Sequence, residues 1–491
     1  MSATGTRQKL LHEMATDVLV AKKLHGQVAA IQSDLQWFGT ALPHTTLVAL
    51  LEFAAVPDKW IAFLLKFLRA PLNMGDGKGV RERERGIPMA HSLSLFFGEL
   101  VLAFMDLAVN KEADGVLLYR LHDDLFLWGE PEKVAKAWQT MQRFAALMGL
   151  QFNAKKTGSV YFAASDQRDP NIEAILPDGK VSIGFLKLNK DAEWEVDRPA
   201  VDEHAYQLLK QLKQCDSVFS WIQTWNSCIG RFFVKSFGEP ANVFGEAHVE
   251  EILETHRHIQ SILFADDGGL QGQNYMDHLK IMISKRHGIP KDDIPDGFLA
   301  LPEHLGGLGV TNPFGPFLHL CHASDKGPSN LMDDYLSNDE ATYNELKDSF
   351  MAEKPVVRRQ RLDRMFPRDE DDEDNADDRP DPNEFMTFED WISYREACHG
   401  ELGRVKRTLR RRIAPALNLD EEIRNVIAKG MDGDLAAYPD SWSPDLKWTV
   451  ITHHDELMER FGRLQIAERN FLPLSVIKML QEQRVSWQMA L

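Results

Sequence analysis

The chain reads as an α/β (α+β) domain over residues 1–200, followed by a helical region over 201–352, a disordered charged linker over 353–384 and a mainly α-helical region over 385–491. Three observations support that division. Short apolar runs alternate with helix-period patterns up to about residue 200. From about 200 to 265 only helical spacing remains, with Trp221, Trp225, Phe232 and Phe233 as core candidates. The stretch Asp369–Asp378 holds eight acidic residues in ten and nothing that packs, whereas helical patterning resumes from Thr387 to Leu491.

Within the first region, Val28-Ala29-Ala30-Ile31 is a buried-strand run that ends at Ser33-Asp34. His44–Phe53 and Trp60–Leu68 read as helices separated by Val56-Pro57-Asp58, where proline punctuates the chain. A Gly-rich loop spans Asn73–Gly79. Glu132–Met148 has apolar residues at helical spacing, with Gly149 as its stop. Between them, Val116–Leu121 and Leu125–Trp128 flank His122-Asp123-Asp124, the pattern of a tight hairpin with two carboxylates at its tip.

Composition narrows the function classes. The 491 residues exceed one ordinary core, so several domains are expected. No uninterrupted apolar run of about 18 residues occurs and Met1–Val20 has no targeting pattern, so the chain is expected to be soluble and intracellular, with nothing in the sequence pointing to the nucleus specifically. Cys215, Cys228, Cys321 and Cys398 are widely spaced, which predicts reduced, buried thiols and no zinc cluster. The formal net charge of −18 stays acidic without the Asp369–Asp378 run, so any nucleic-acid channel has to be a local basic stripe.

Adjacent carboxylates raise each other's pKa, and an apolar hairpin ending in Asp-Asp is best explained by a cation at its tip. An isolated Asp-Asp is more often a solvated turn. Asp34, a second acidic site at a strand end about 90 residues upstream, shifts that balance. Together the three make an oxygen-rich site of the kind that hard cations prefer.

These residues resemble motifs of the reverse transcriptases. Ser33–His44 resembles the family's first palm motif, Arg85–Ser94 the second, Leu121–Asp124 the third and Gly149–Thr157 the fourth. Ser182–Leu186 sits where the primer-grip hairpin comes. Order and spacing agree for all five over about residues 28–190, with weaker similarity to about 315, and Tyr119-Arg120-Leu121-His122 is closest in style to cellular, telomerase-like or intron-maturase-like branches.

The resemblance implies a right-hand polymerase palm with reduced fingers over 1–200, a helical thumb over 201–352 and a C-terminal helical extension. It implies an RNA-directed DNA polymerase acting on an RNA template, a DNA primer and nucleoside triphosphates. Asp34, Asp123 and Asp124 would hold two Mg²⁺ or Mn²⁺ ions, and Lys156 would stand at the triphosphate. Phe38, Gly39, Gly86, Pro88 and Met89 would surround the substrate. Considered alone, Lys156 is a solvent-facing lysine, and Gly86 and Pro88 are a helix-entry turn.

Three departures from the family pattern stand out. Met89-Ala90 replaces a usual Gln-Gly. Gly39 replaces the bulky aromatic that excludes a 2′-hydroxyl, which leaves that task to Phe38 or Trp37 and opens an RNA-dependent RNA polymerase as a further reading. Only 33 residues precede Asp34, too short a stretch for full fingers and their triphosphate-binding basic residues; Arg7, Lys9, Lys22 and Lys23 are candidates for a reduced substitute and read more simply as solvated helix positions. A catalytically silent, domesticated relative acting as a nucleic-acid-binding or scaffold protein is the alternative. Arg404, Lys406, Arg407, Arg410, Arg411 and Arg412 form the densest basic cluster, read as a solvated helix face. No Walker, nucleophile-elbow or kinase signature occurs.

Overall fold

The apolar run that begins at Val28 forms β1, Gln27–Asp34, one of the two inner strands of a four-stranded antiparallel sheet. The strands in chain order are β2 (Leu72–Asn73), β3 (Val80–Arg81), β4 (Tyr119–Leu121), β5 (Asp124–Gly129), β6 (Gly158–Ala163), β7 (Val181–Ile183), β8 (Leu186–Leu188) and β9 (Trp194–Val196). The large sheet runs β4-β5-β1-β6, a hairpin joins β2 and β3, and β7-β8-β9 make a third sheet. These come from a computed structural model that describes residues 3–88, 92–164, 168–266, 268–320, 327–365, 381, 383–398, 400–414, 418–430, 442–467 and 469–477. The predicted Met89 site lies outside these residues.

β1 is apolar on both faces because each face meets a different core. Val28 and Ala30 join the cluster that includes Leu11, Met14, Ile183, Leu186, Trp221 and Trp225. Ala29 and Ile31 join the other, with Leu47, Phe97, Leu102 and Trp138. β5 alternates the same way, with Phe126 and Trp128 on the first side and Leu125 and Leu127 on the second. Alternation of period two with both sides buried is what produced the continuous apolar pattern.

The second core is covered by the helices His44–Phe53, Asp58–Leu68, Ser92–Glu112 and Pro131–Met148. Ser92–Glu112 is long and apolar enough to cross a membrane by length and composition, and the acidic Glu99 and Asp106 hide it from a search for uninterrupted runs. Its Phe97, Val101, Leu102, Met105 and Val109 face the protein interior. On the first side lie the helices Ala3–His25, Arg198–Lys213, Val218–Trp225 and Gly245–Leu263. Asn226–Phe233 continues the chain as a π-helical stretch, a rare geometry that recurs at functional sites.

The chain divides into two compact units, one of residues 1–325 and 412–491 and one of 326–411. These bounds differ from those expected at 352/353 and 384/385. The reason on the C-terminal side is a third core, in which Ile423, Val450, Leu457 and Leu464 bury against Leu301 and Leu305. Pro355–Met365, the start of the expected linker, is a helix with Pro355 in its first turn and Arg358 over the Phe350 ring at 4.5 Å. Residues 366–380 and 382 lie outside the described residues, so most of the acidic run does too. Among the described residues Cys215, Cys228 and Cys398 are free thiols; Cys228 is buried as expected, Cys215 is half-buried and Cys398 exposed, and Cys321 lies outside the described residues.

Ile31 is 1% exposed and Trp37 is 74% exposed. Ile31→Ala is therefore expected to lower unfolding free energy by about 2–5 kcal/mol in urea titrations, whereas Trp37→Ala should leave it within about 0.5 kcal/mol.

Candidate functional site

The site grows from the strand register. β1 pairs with β5 so that Ser33 faces Leu125 and Asp34 faces Asp124. On the other side of β5, Leu121 pairs with Asp124, leaving only His122 and Asp123 as the connecting loop. A two-residue hairpin needs a left-handed residue, and His122 supplies it at φ 63°. Directly opposed residues in an antiparallel pair lie about 4.5–5.5 Å apart at Cα and share a face, so Asp34 and Asp124 are neighbours by construction.

Asp34 is 7% exposed, and Asp123 and Asp124 are half-buried. Burial foremost, then the charges of Asp34 and Asp123, pushes the Asp124 carboxyl above the usual carboxylate range; Arg7 and Lys156 pull it the other way. The site therefore concentrates negative charge at a cost, and cations have been drawn in to offset it.

Those cations come from two directions. Asp34 Oδ2 accepts from Asn153 Nδ2 at 3.2 Å and has Lys156 Nζ at 3.3 Å. The segment carrying both is stitched to the end of β1: Asn153 N–H donates to the Asp34 carbonyl at 2.8 Å, Gln36 N–H donates to Gln151, and Leu35 bridges Phe152. Behind it, the Ser33 and Thr157 hydroxyls meet at 2.8 Å in a buried contact. From the other direction, an Arg7 guanidinium nitrogen comes to 3.7 Å from Asp124 Oδ2.

Two clefts open at this point. One, of about 830 Å³, is lined by Asp34, Trp37, Phe38, Gly39, Asp123, Asn153 and Lys156, among others. The second, of about 590 Å³, holds Asp124 with Arg7, Ile183, Gly184, Arg231 and Lys235. Its floor is the β7–β8 hairpin at Ser182–Leu186, whose Gly184 (φ 67°) lies so close to the Ser236 carbonyl that an added Cβ would sit 2.3 Å from it. Of the two hairpin carboxylates, Asp123 lines the first cleft and Asp124 the second.

Five of the predicted residues, Asp34, Asp123, Lys156, Phe38 and Gly39, thus line one cleft. Phe38 is nevertheless a core residue, 2% exposed and edge-on to the His122 ring at 6.1 Å, and the aromatic that reaches solvent there is Trp37. Gly86 and Pro88 are buried and line neither cleft. Gly86 is glycine for a packing reason: at φ 81°, a Cβ would stand 2.4 Å from the Thr40 carbonyl. Its N–H donates to Leu42 at 2.8 Å, its carbonyl lies 2.9 Å from His44 Nε2, and Ile87 N–H donates to Gly39. The 85–88 segment supports the 39–44 loop from behind. Asn153, Arg231 and Lys235 carried no assigned role in the sequence, and Arg7, expected as a solvated helix position, lines the second cleft instead.

Among the described residues, no three His, Cys, Asp or Glu side chains close on a point as a metal cage. Asp34 is turned toward Asn153 and Lys156, and Asp124 toward Arg7. The donor set is all carboxylate oxygen and mutually repelling, which suits hard cations. His453 Nδ1 lies 3.7 Å from Glu456 Oε2, and His454 Nδ1 lies 2.9 Å from Asp455 Oδ1. The Arg404–Arg412 cluster begins on the helix Glu401–Leu409.

No family model and no curated protein matches the chain. Among solved structures it is similar to telomerase from Candida tropicalis in complex with a TWJ fragment of telomeric RNA, at 15% identity and a TM-score of 0.30 over 60% of this chain and 52% of that one. It is also similar to telomerase from Candida albicans in complex with the same type of fragment, at 13% identity and 0.29 over 57% and 51%. A third is apo telomerase from Candida tropicalis truncated from its C-terminal domain, at 16% and 0.31 over 40% and 40%. The chain spans about half or less of the length of these three.

Because folding raises the Asp124 pKa, the folded chain binds that proton more tightly than the unfolded chain. Stability then falls as pH rises from the ordinary carboxylate value, about 3.9, through the raised value. With chelator present, Asp124→Asn is expected to melt above the wild type at pH 7 and to lose that advantage as pH drops toward 4, measured by thermal melts across that range.

Proposed function

We propose that this chain is a reverse-transcriptase-like nucleotidyltransferase that extends a primer 3′ end on an RNA template by two-metal phosphoryl transfer. The observation that carries the reading is the register that sets Asp34 opposite Asp124, with Asp123 at the adjoining tip and Lys156 alongside. In this reading the β4-β5-β1-β6 sheet is the palm and the helical segments after β9 act as the thumb.

Asp34 and Asp123 would be the principal ligands of two Mg²⁺ or Mn²⁺ ions, with Asp124 as the supporting carboxylate. Such ions activate an attacking hydroxyl and stabilise the leaving oxygen. Lys156 Nζ, 60% exposed at the side chain and tethered near Asp34, is free to turn toward a triphosphate and to give a proton to departing pyrophosphate. Trp37, exposed beside Gly39, is the ring available to contact a nucleotide sugar or base. Arg7, Arg231 and Lys235 in the neighbouring cleft supply the local basic stripe that an acidic chain needs for a primer or template backbone.

A second reading also has an observation behind it. Lys156 and Arg7 already neutralise the carboxylates, an arrangement equally suited to a catalytically silent nucleic-acid-binding or scaffold protein descended from such an enzyme.

Primer extension on an RNA template with Mg²⁺ or Mn²⁺ separates the two. Wild type should incorporate nucleotides, and Asp34→Ala or Asp123→Ala should lose roughly 10²-fold or more, since each metal contact contributes several kcal/mol. Equal incorporation by these variants removes the mechanism. Oligonucleotide binding without extension by the wild type favours the silent reading. Parallel reactions with ribo- and deoxyribonucleotides test whether the Gly39 position leaves the sugar unselected.

A further inference from the structure

The helix Ala3–His25 is fixed at its start by side-chain clamps. Gln8 Nε2 donates to the Lys235 carbonyl at 3.0 Å, Glu239 N–H donates to Gln8 Oε1 at 2.7 Å, and His12 Nε2 lies 2.8 Å from the Glu239 carbonyl. These contacts anchor the turn next to Arg7, one position before the clamp, which lines the 590 Å³ cleft together with Asp124 and the cations Arg231 and Lys235. At 3.7 Å, with side chains 52% and 31% exposed, the Arg7–Asp124 contact is Coulombic and no hydrogen bond.

We propose that Arg7 is a tethered counter-cation, standing on Asp124 in place of a divalent ion and swinging toward Arg231 and Lys235 when that ion binds. A guanidinium keeps its charge at any working pH, so Arg7 cannot yield by losing a proton and has to move. A monovalent guanidinium and a divalent ion also repel across the same carboxylate. Once released, Arg7 adds a third free cation to a cleft that already presents two, so the cleft's affinity for a phosphate backbone rises with metal occupancy. Linkage makes that coupling reciprocal: a bound polyanion that captures Arg7 favours the metal by the same factor. Lys156 remains the cation of the other cleft, on Asp34. This inference rests on the carboxylates being a cation site, as in the reading above.

Isothermal titration of Mn²⁺ into the full chain tests it, with Asp34→Ala as the blank and with or without a short oligothymidylate. Arg7→Gln should bind Mn²⁺ about two- to five-fold tighter than wild type without oligonucleotide, the scale of a part-exposed ion pair. Arg7→Lys should stay near wild type, and the oligonucleotide should tighten Mn²⁺ binding more in wild type than in Arg7→Gln. A purely structural role for Arg7 does not predict tighter binding. If wild type binds Mn²⁺ and Arg7→Gln binds it equally or more weakly, the tethered-cation idea fails alone. If neither exceeds the Asp34→Ala blank, the carboxylate reading fails and takes this one with it.

Discussion

The pairing of β1 with β5 is the constraint on which the rest of this structure depends. A strand's side chains alternate with period two, so a slip of one residue would carry Asp34 to the opposite face from Asp124. Two buried faces forbid that slip. Val28 and Ala30 fill one core while Ala29 and Ile31 fill the other, and Phe126 and Trp128 mirror Leu125 and Leu127 across the neighbouring strand. The His122-Asp123 loop, too short for any alternative pairing of β4 with β5, locks the third strand. Convergence of the carboxylates is thus a by-product of packing that is enforced far from the carboxylates themselves.

Electrostatics then sets the character of the site. A chain of net charge −18 places three acidic side chains around one hairpin tip, and the Asp124 carboxyl resists ionisation there. Lys156 and Asn153 answer Asp34 through a segment sewn to the end of β1, and Arg7 answers Asp124 from a helix at the other end of the domain sequence. The basic side chains that a polyanion requires are few but collected in one cleft, beside a hairpin whose Gly184 permits contact with Ser236. Local clustering, not overall charge, decides whether a nucleic-acid backbone is tolerated.

Much of this arrangement was legible in the sequence because local pattern and chemistry coincided. A continuous apolar run ending in Asp34 marks a strand buried on both faces, and Asp-Asp between two apolar segments marks a hairpin. Lys156 came only from the resemblance of Gly149–Thr157 to the family's fourth motif; its own surroundings in the sequence mark a solvent-facing lysine. What escaped depended on distant partners. Nothing near Phe38 announces that it packs beneath His122 while Trp37 stays outside, and Gly86 is required by a backbone 46 residues upstream, at Thr40. Arg7 looked like any solvated helix residue, since its partner lies in the β5 strand. The unit boundaries at 325 and 412 were hidden for the same reason: the last segment returns to bury Leu457 and Leu464 against Leu301, and charge composition says nothing of that return.

Anomalous diffraction from crystals soaked in Mn²⁺ addresses the central claim most directly, that oxygens of Asp34, Asp123 and Asp124 meet closely enough to share cations. The account predicts anomalous density at the hairpin tip, with two peaks about 4 Å apart and carboxylate oxygens of Asp34 and Asp123 within about 2.0–2.6 Å of them. Manganese density confined to other acidic surfaces, with Asp34 still held by Lys156 and Asp124 still held by Arg7, would contradict it.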